Sequence, residues 1–107
     1  MSDTMTYDFN DGQGPVPAHQ HSNGGGWVAD TTTVADSVYL GPSARVFGNA
    51  WVYGNAQVYG FALVYGFAQV YGFAQVFEGA WVSGSARVYD DARVSGDARV
   101  YEGEVTQ

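Results

Sequence analysis

A period of six residues governs this chain. The hexapeptide Val-Tyr-Gly-Phe-Ala-x is written three times in tandem, beginning at Val58, Val64 and Val70. Extending that frame outward places an aliphatic residue at every sixth position without an insertion: Val28, Val34, Leu40, Val46, Val52, Val58, Val64, Val70, Val76, Val82, Val88, Val94 and Val100, thirteen hexads over residues 28–105. Four places after most of these aliphatics stands a small residue, and from Ala44 to Ala98 it is alanine ten times running. An unbroken short period of this kind calls for a solenoid, because each repeat can bury its apolar side only against its neighbours.

Within a hexad, alternation along an extended strand sends the aliphatic residue and the alanine two positions before it to one side, inward. The residues flanking the aliphatic point outward. The next two positions, such as Gly48-Asn49, Gly54-Asn55, Gly60-Phe61, Glu78-Gly79, Asp90-Asp91 and Gly96-Asp97, form a corner, where Gly, Asn and Asp tolerate the positive φ that tight turns demand. Alanine fits inside because a narrow prism has no room near its corners for a second large side chain.

The hexads resemble the left-handed parallel β-helix of the hexapeptide-repeat family, whose pattern is an aliphatic residue, turn-forming positions and then a small residue. Val46-Phe-Gly-Asn-Ala-Trp and Val52-Tyr-Gly-Asn-Ala-Gln more narrowly resemble the Gly-Asn-Ala-x-Val-Tyr arrays of uncharacterised bacterial and phage proteins labelled acyltransferase-like. Family members often place glycine directly after the aliphatic residue, whereas here that position is usually Tyr, Phe or Ser. The resemblance implies an all-β, left-handed, triangular β-solenoid with three hexads per coil, a little over four coils, and frequently a trimer. The expected organisation is an irregular N-terminal cap or leader over residues 1–26 and the solenoid over 27–105.

Three hexads per coil stack residues eighteen apart, which sorts the outward positions into columns. One face carries Trp27, Arg45, Leu63, Trp81 and Arg99 beside Ala29, Phe47, Tyr65, Ser83 and Tyr101. The second carries Thr33, Trp51, Gln69 and Arg87 beside Ala35, Tyr53, Tyr71 and Tyr89; the third carries Tyr39, Gln57, Gln75 and Arg93 beside Gly41, Tyr59, Phe77 and Ser95. Phe61, Phe67 and Phe73 fall on three successive corners of one coil. Between residues 46 and 77 there is no charged residue and no histidine. The candidate binding surface is therefore Phe47, Trp51, Tyr53, Tyr59, Phe61, Leu63, Tyr65, Phe67, Tyr71, Phe73, Phe77 and Trp81. Stacked rings alone account for the tyrosine columns. They do not account for phenylalanine at corners, and an apolar band on a water-facing surface marks an interface.

The ends read differently from the middle. Residues 1–26 are rich in turn formers. Tyr7, Phe9 and Val16 are expected to lie across the opening of the first coil, with Gly24-Gly25-Gly26 as a hinge into Trp27 and residues 1–5 as a loose leader. At the other end Glu104 occupies the slot that had been alanine. A lone carboxylate is too costly to bury there, so the helix is expected to stop near Tyr101, its last coils guarded by charge and by a partner copy or a longer chain.

Composition narrows the function. The formal charge is -7, from eleven acidic residues against four arginines, which argues against nucleic acid and anionic membranes. Cysteine is absent, so thiolate chemistry is excluded and the redox compartment is left open. No signal peptide or membrane span is evident; a cytoplasmic location and a phage or surface particle both fit. His19 and His21 sit on one side of an extended segment, with Asp3, Asp8 or Asp11 as further ligands, but zinc wants three or four; two cap-stabilising histidines are the better expectation, with no cofactor. Asp90-Asp91 reads as a solvated turn. Hexapeptide acyltransferases, by resemblance, carry a catalytic histidine near the coils and a projecting loop; residues 28–105 have neither. The chain is expected to be a structural or binding module that self-associates as a dimer or trimer. Two alternatives stand beside this: a glycan-binding Tyr/Trp/Gln face, and an acyltransferase completed by a partner subunit. The near-identity of the central repeats fits recent duplication or engineering.

Overall fold

The computed structural model describes residues 6–9, 12 and 14–106. Every regular element among them is a strand. β1 (Thr6–Asp8) and β2 (Pro15–Gln20) precede a run of strands set six residues apart: β3 (Trp27–Ala29), β4 (Thr33–Val34), β5 (Tyr39–Leu40), β6 (Arg45–Val46), β7 (Trp51–Val52), β8 (Gln57–Val58), β9 (Leu63–Val64), β10 (Gln69–Val70), β11 (Gln75–Val76), β12 (Trp81–Val82), β13 (Arg87–Val88), β14 (Arg93–Val94) and β15 (Arg99–Val100). A last strand, β16 (Glu104–Val105), follows.

Successive strands go to successive faces of a three-sided prism. The first face stacks β3, β6, β9, β12 and β15, the second β4, β7, β10, β13 and β16, and the third β5, β8, β11 and β14, all parallel. Register is eighteen residues per coil, as in the pairing of Trp51 with Gln69 and Val52 with Val70. The outward-facing residues and the second corner residues donate their backbone N–H to the C-terminal side, to the carbonyl seventeen residues on: Trp51 to Ala68 at 3.0 Å, Tyr53 to Val70 at 3.0 Å, and at the corner Asn49 to Gly66 at 2.8 Å. Valines and alanines fill the axis. Val46 to Val88 on the six-residue frame and their alanine partners are fully buried.

The corners explain the glycine column. From Gly48 to Gly96 the first corner residue is left-handed, with φ of 70° at Gly48 and 69° at Gly66. A Cβ on Gly48 would stand 2.8 Å from the amide nitrogen of Gly66 in the next coil. Glu78 and Asp90 adopt the same conformation with side chains, at φ of 58° and 57°. The Glu78 carboxylate accepts the Gly96 N–H at 2.8 Å, so its side chain ties this corner to the next coil.

Two end readings need correction. Glu104 does not enter the alanine slot. The last corner is one residue shorter, so Arg87 pairs with Glu104 and Val88 with Val105, a step of seventeen instead of eighteen. That slip sends Glu104 outward and Val105 in against the core, and the solenoid continues past Tyr101.

The cap also differs from expectation. Tyr7, Phe9 and Val16 do not lie across the core opening. β1 and β2 form an antiparallel hairpin that extends the first face beyond β3, and Phe9 and Tyr7 continue its outer aromatic columns. The opening is crossed instead by residues 21–26, whose Gly24 and Gly26 are packed in place, so that the segment is not a hinge. A Cβ on Gly24 would lie 2.0 Å from the Leu40 carbonyl oxygen, and one on Gly26 would lie 2.5 Å from Leu40 Cγ. The carbonyls left bare at this edge are met in turn: Gly26 N–H donates to Leu40 O at 3.1 Å, and His21 Nε2 donates to Val38 O at 2.8 Å. Seventeen residues separate His21 from Val38, so the imidazole stands where the backbone N–H of a preceding coil would be. Residues 1–5, read as a loose leader, lie outside the described residues.

Candidate interaction surface

The alternation that buries each valine turns its two neighbours outward, and the eighteen-residue register sets like residues over one another. The result is three ring ladders. On the second face Tyr53 stacks on Tyr71 and Tyr71 on Tyr89, at centroid distances of 4.8 and 5.0 Å and nearly parallel. On the third face Tyr59 stacks on Phe77 at 5.1 Å. On the first face Phe9, Phe47 and Tyr65 stack at 4.9 and 4.8 Å, and Trp81 meets Tyr65 edge-on at 6.3 Å. Stacking at this spacing covers at least one face of each ring, and both faces of Tyr71, so Tyr53, Tyr59, Tyr65, Tyr71 and Phe77 are only partly exposed.

The candidate surface therefore divides. Phe47 is 5% exposed beneath Phe9, so it belongs to the cap's own small core with Ala18 and Ala29 and is not part of an exposed band. Leu63 and Tyr65 pack against the same cluster. Trp81 is covered by the Arg99 guanidinium, 4.3 Å from the ring centroid. The residues that do reach solvent are Phe61, Phe67 and Phe73, at 69, 70 and 64% exposure, and Trp51 at 52%. Corner geometry causes this. A ring at a corner has no ring above or below it, because its column holds Asn, Ser, Gly or Asp: Asn49 and Ser85 flank Phe67, Asn55 and Asp91 flank Phe73, and Ser43 and Gly79 flank Phe61.

The three phenylalanines occupy three different corners and point apart. Phe67 separates the first and second faces, Phe73 the second and third, Phe61 the third and first. The second and third faces are uncharged over three strands each, whereas Arg45 interrupts the first. Each of these two faces is thus a flat Tyr/Gln floor with a projecting phenylalanine along either edge. On the second, Trp51 lies in register over Gln69 and edge-on to Tyr53 at 6.4 Å.

Charge begins where the band ends. Tyr89 donates to Glu104 Oε1 at 2.6 Å, and Arg87 lies 3.8 Å from the other carboxylate oxygen. The Glu104 carboxylate, which gains from keeping the phenol proton, is the main reason that the Tyr89 hydroxyl is pushed up to about 12, with burial adding to it. Burial, then the neighbouring Tyr71, raises Tyr53. The Tyr89–Glu104 contact was not foreseen, although Val105 five places after Val100 carried the signal of a shortened turn. Asp90 and Asp91 are exposed.

The two histidines do not converge on a common site. His19 is exposed and its Nδ1 lies 2.7 Å from Asp30 Oδ1, while His21 is buried with Nε2 committed to Val38 O. Asp3 and Asp11 lie outside the described residues. Among the described residues no group of three or more metal-ligating side chains comes together.

Two segments, residues 44–60 and 86–102, match the family model of the YdcK beta solenoid repeat. No curated protein and no solved structure matches the chain. Both matched segments turn their corners with Asn or Asp (Asn49, Asn55, Asp91, Asp97), and the corners bearing Phe61, Phe67 and Phe73 lie between them. The match and the stacked parallel strands agree that this is a β-solenoid repeat protein.

Proposed function

We propose that the chain is a structural module that associates with further copies of itself through its uncharged aromatic band. One observation carries this reading: three phenylalanines, each about two-thirds exposed, project from the corners of one coil inside a stretch that has no charge. Stacking inside the chain explains the tyrosine ladders but not these rings, which gain nothing from their own columns. Moving one large aromatic side chain into a dry contact is worth about 1.5 to 3 kcal/mol. Association costs about 4 to 15 kcal/mol, so several rings acting together are needed and one would not suffice. The expected result is that the parent protein has a mass above that of one chain by light scattering. The combined change Phe61→Asn, Phe67→Asn and Phe73→Asn, which puts at each corner the residue found at Asn49 and Asn55 in the preceding repeats, should return it to a single chain. A parent of single-chain mass at high concentration would refute the proposal.

A second reading is favoured by Trp51. It is half exposed, on a flat face beside Tyr53 and over the Gln69 amide, the combination of ring face and amide that suits a sugar. Trp51→Ala should then abolish retention on immobilised polysaccharide while leaving the mass unchanged.

A further inference from the structure

The corner between the first and second faces carries two features one above the other. Near the cap it opens into a cleft of about 210 Å3, with Val16, Pro17, Ala29 and Phe47 as apolar walls and Asp30 and Thr31 at the rim. An apolar cavity of about 150 Å3 holds a benzene ring, so this cleft is large enough for one phenyl group. Further along the same corner projects Phe67, 70% exposed. Thr31, Asn49, Phe67 and Ser85 form one column, and Phe67 lies two strand spacings, about 10 Å, from Thr31. Neither Phe61 nor Phe73 shares a corner with the cleft.

A knob and a socket on one edge, at a fixed separation, complement themselves under a twofold axis across that edge. A second copy turned end for end and laid corner to corner brings each Phe67 opposite the other copy's cleft. The axis passes near Asn49. The column is uncharged along this seam, so the net charge of -7 is not concentrated where the copies meet. Asp30 at the rim is already paired with His19.

Resting on the self-association reading, we propose that the contact is an antiparallel twofold dimer in which Phe67 of each copy occupies the cap cleft of the other. The occupant of the cleft is a phenyl ring of a second copy of this chain, and the assembly closes at two.

Sedimentation of the full-length protein over a concentration series tests this. Phe67→Asn should weaken the dimer by at least about a hundredfold, since two rings are lost per dimer. Thr31→Trp, which fills the mouth of the cleft, should do the same, while Phe61→Asn and Phe73→Asn should dimerise like the parent. The chain has no cysteine, so Asn49→Cys introduces a single thiol beside the axis. It should give a covalent dimer on mild oxidation, and Asn55→Cys, at the equivalent place on the next corner, should not. Cross-linking of Asn55→Cys as readily as Asn49→Cys would overturn the proposal. If Phe67→Asn still dimerises while the triple phenylalanine variant does not, the cleft assignment falls and the band reading stands. A parent of single-chain mass removes both.

Discussion

At the scale of the residue, the fold rests on a few interchangeable roles. An inward valine has only other valines and alanines around it. Val64 is completely buried, and Val64→Asp would place a charge in a dry axis with no partner. We expect it to be destabilised by more than about 4 kcal/mol and to lose its cooperative transition in a denaturant titration; a well-folded variant would refute the packing. His21 is the opposite case, a polar side chain that completes a backbone ladder. Removing its donor leaves the buried Val38 carbonyl unsatisfied, so His21→Ala should cost about 1 to 3 kcal/mol in the same measurement. His21→Gln, whose amide can still donate, should recover part of it. Equal losses in the two variants would mean that the ring matters for its volume and not for its N–H.

At the scale of the element, a two-residue strand has little stability alone, and each gains it from the coils on either side. The ladders show the same dependence. Tyr53, Tyr71 and Tyr89 share one column, but only Tyr89 reaches the carboxylate that the shortened last corner delivers. Its folded-state hydroxyl is pushed up to about 12 from the ordinary 10.0, which fixes the sign of the pH effect. A raised phenol favours the protonated folded state, so its stabilisation is fully present below about pH 10 and is lost as pH rises towards 12. Phenolate absorbance should show a tyrosine titrating as late as about pH 12, and Glu104→Gln should bring that titration down. No change in that variant would mean that the hydrogen bond is absent in solution.

At the scale of the whole molecule, charge is segregated along the prism. Asp30 and Asp36 lie at the cap end, Asp90, Asp91, Asp97, Glu102 and Glu104 at the far end, and the aromatic band between them. Copies that meet through the band bring their net charges near one another without pairing them. Salt shortens the reach of that repulsion, to about 10 Å at 0.1 M. Raising ionic strength should therefore strengthen self-association measured by light scattering. Weakening with salt would point to ion pairs at the contact and away from the rings.

The six-residue period was sufficient by itself to locate the thirteen regular strands, their inward valines and alanines and the corner phenylalanines, while the eighteen-residue register was implied by the resemblance to the hexapeptide-repeat family. The strands, the inward residues and the corners follow from local alternation and from turn chemistry repeated without interruption. What it could not convey was whatever depended on a neighbour outside the period. Phe47 reads as an outward ring like Tyr65, and only the path of the hairpin put Phe9 over it. His19 and His21 read as a pair, and only the closure of the open edge separated them, one to a carboxylate and one to a carbonyl. Glu104 reads as an intruder in the core until the backbone drops one residue, because a strand's register answers to the coil it pairs with and not to the count along the chain. The cleft beside Asp30 has no sequence signature, since its walls come from β2, the first corner and the coil beneath, brought together only by tertiary packing.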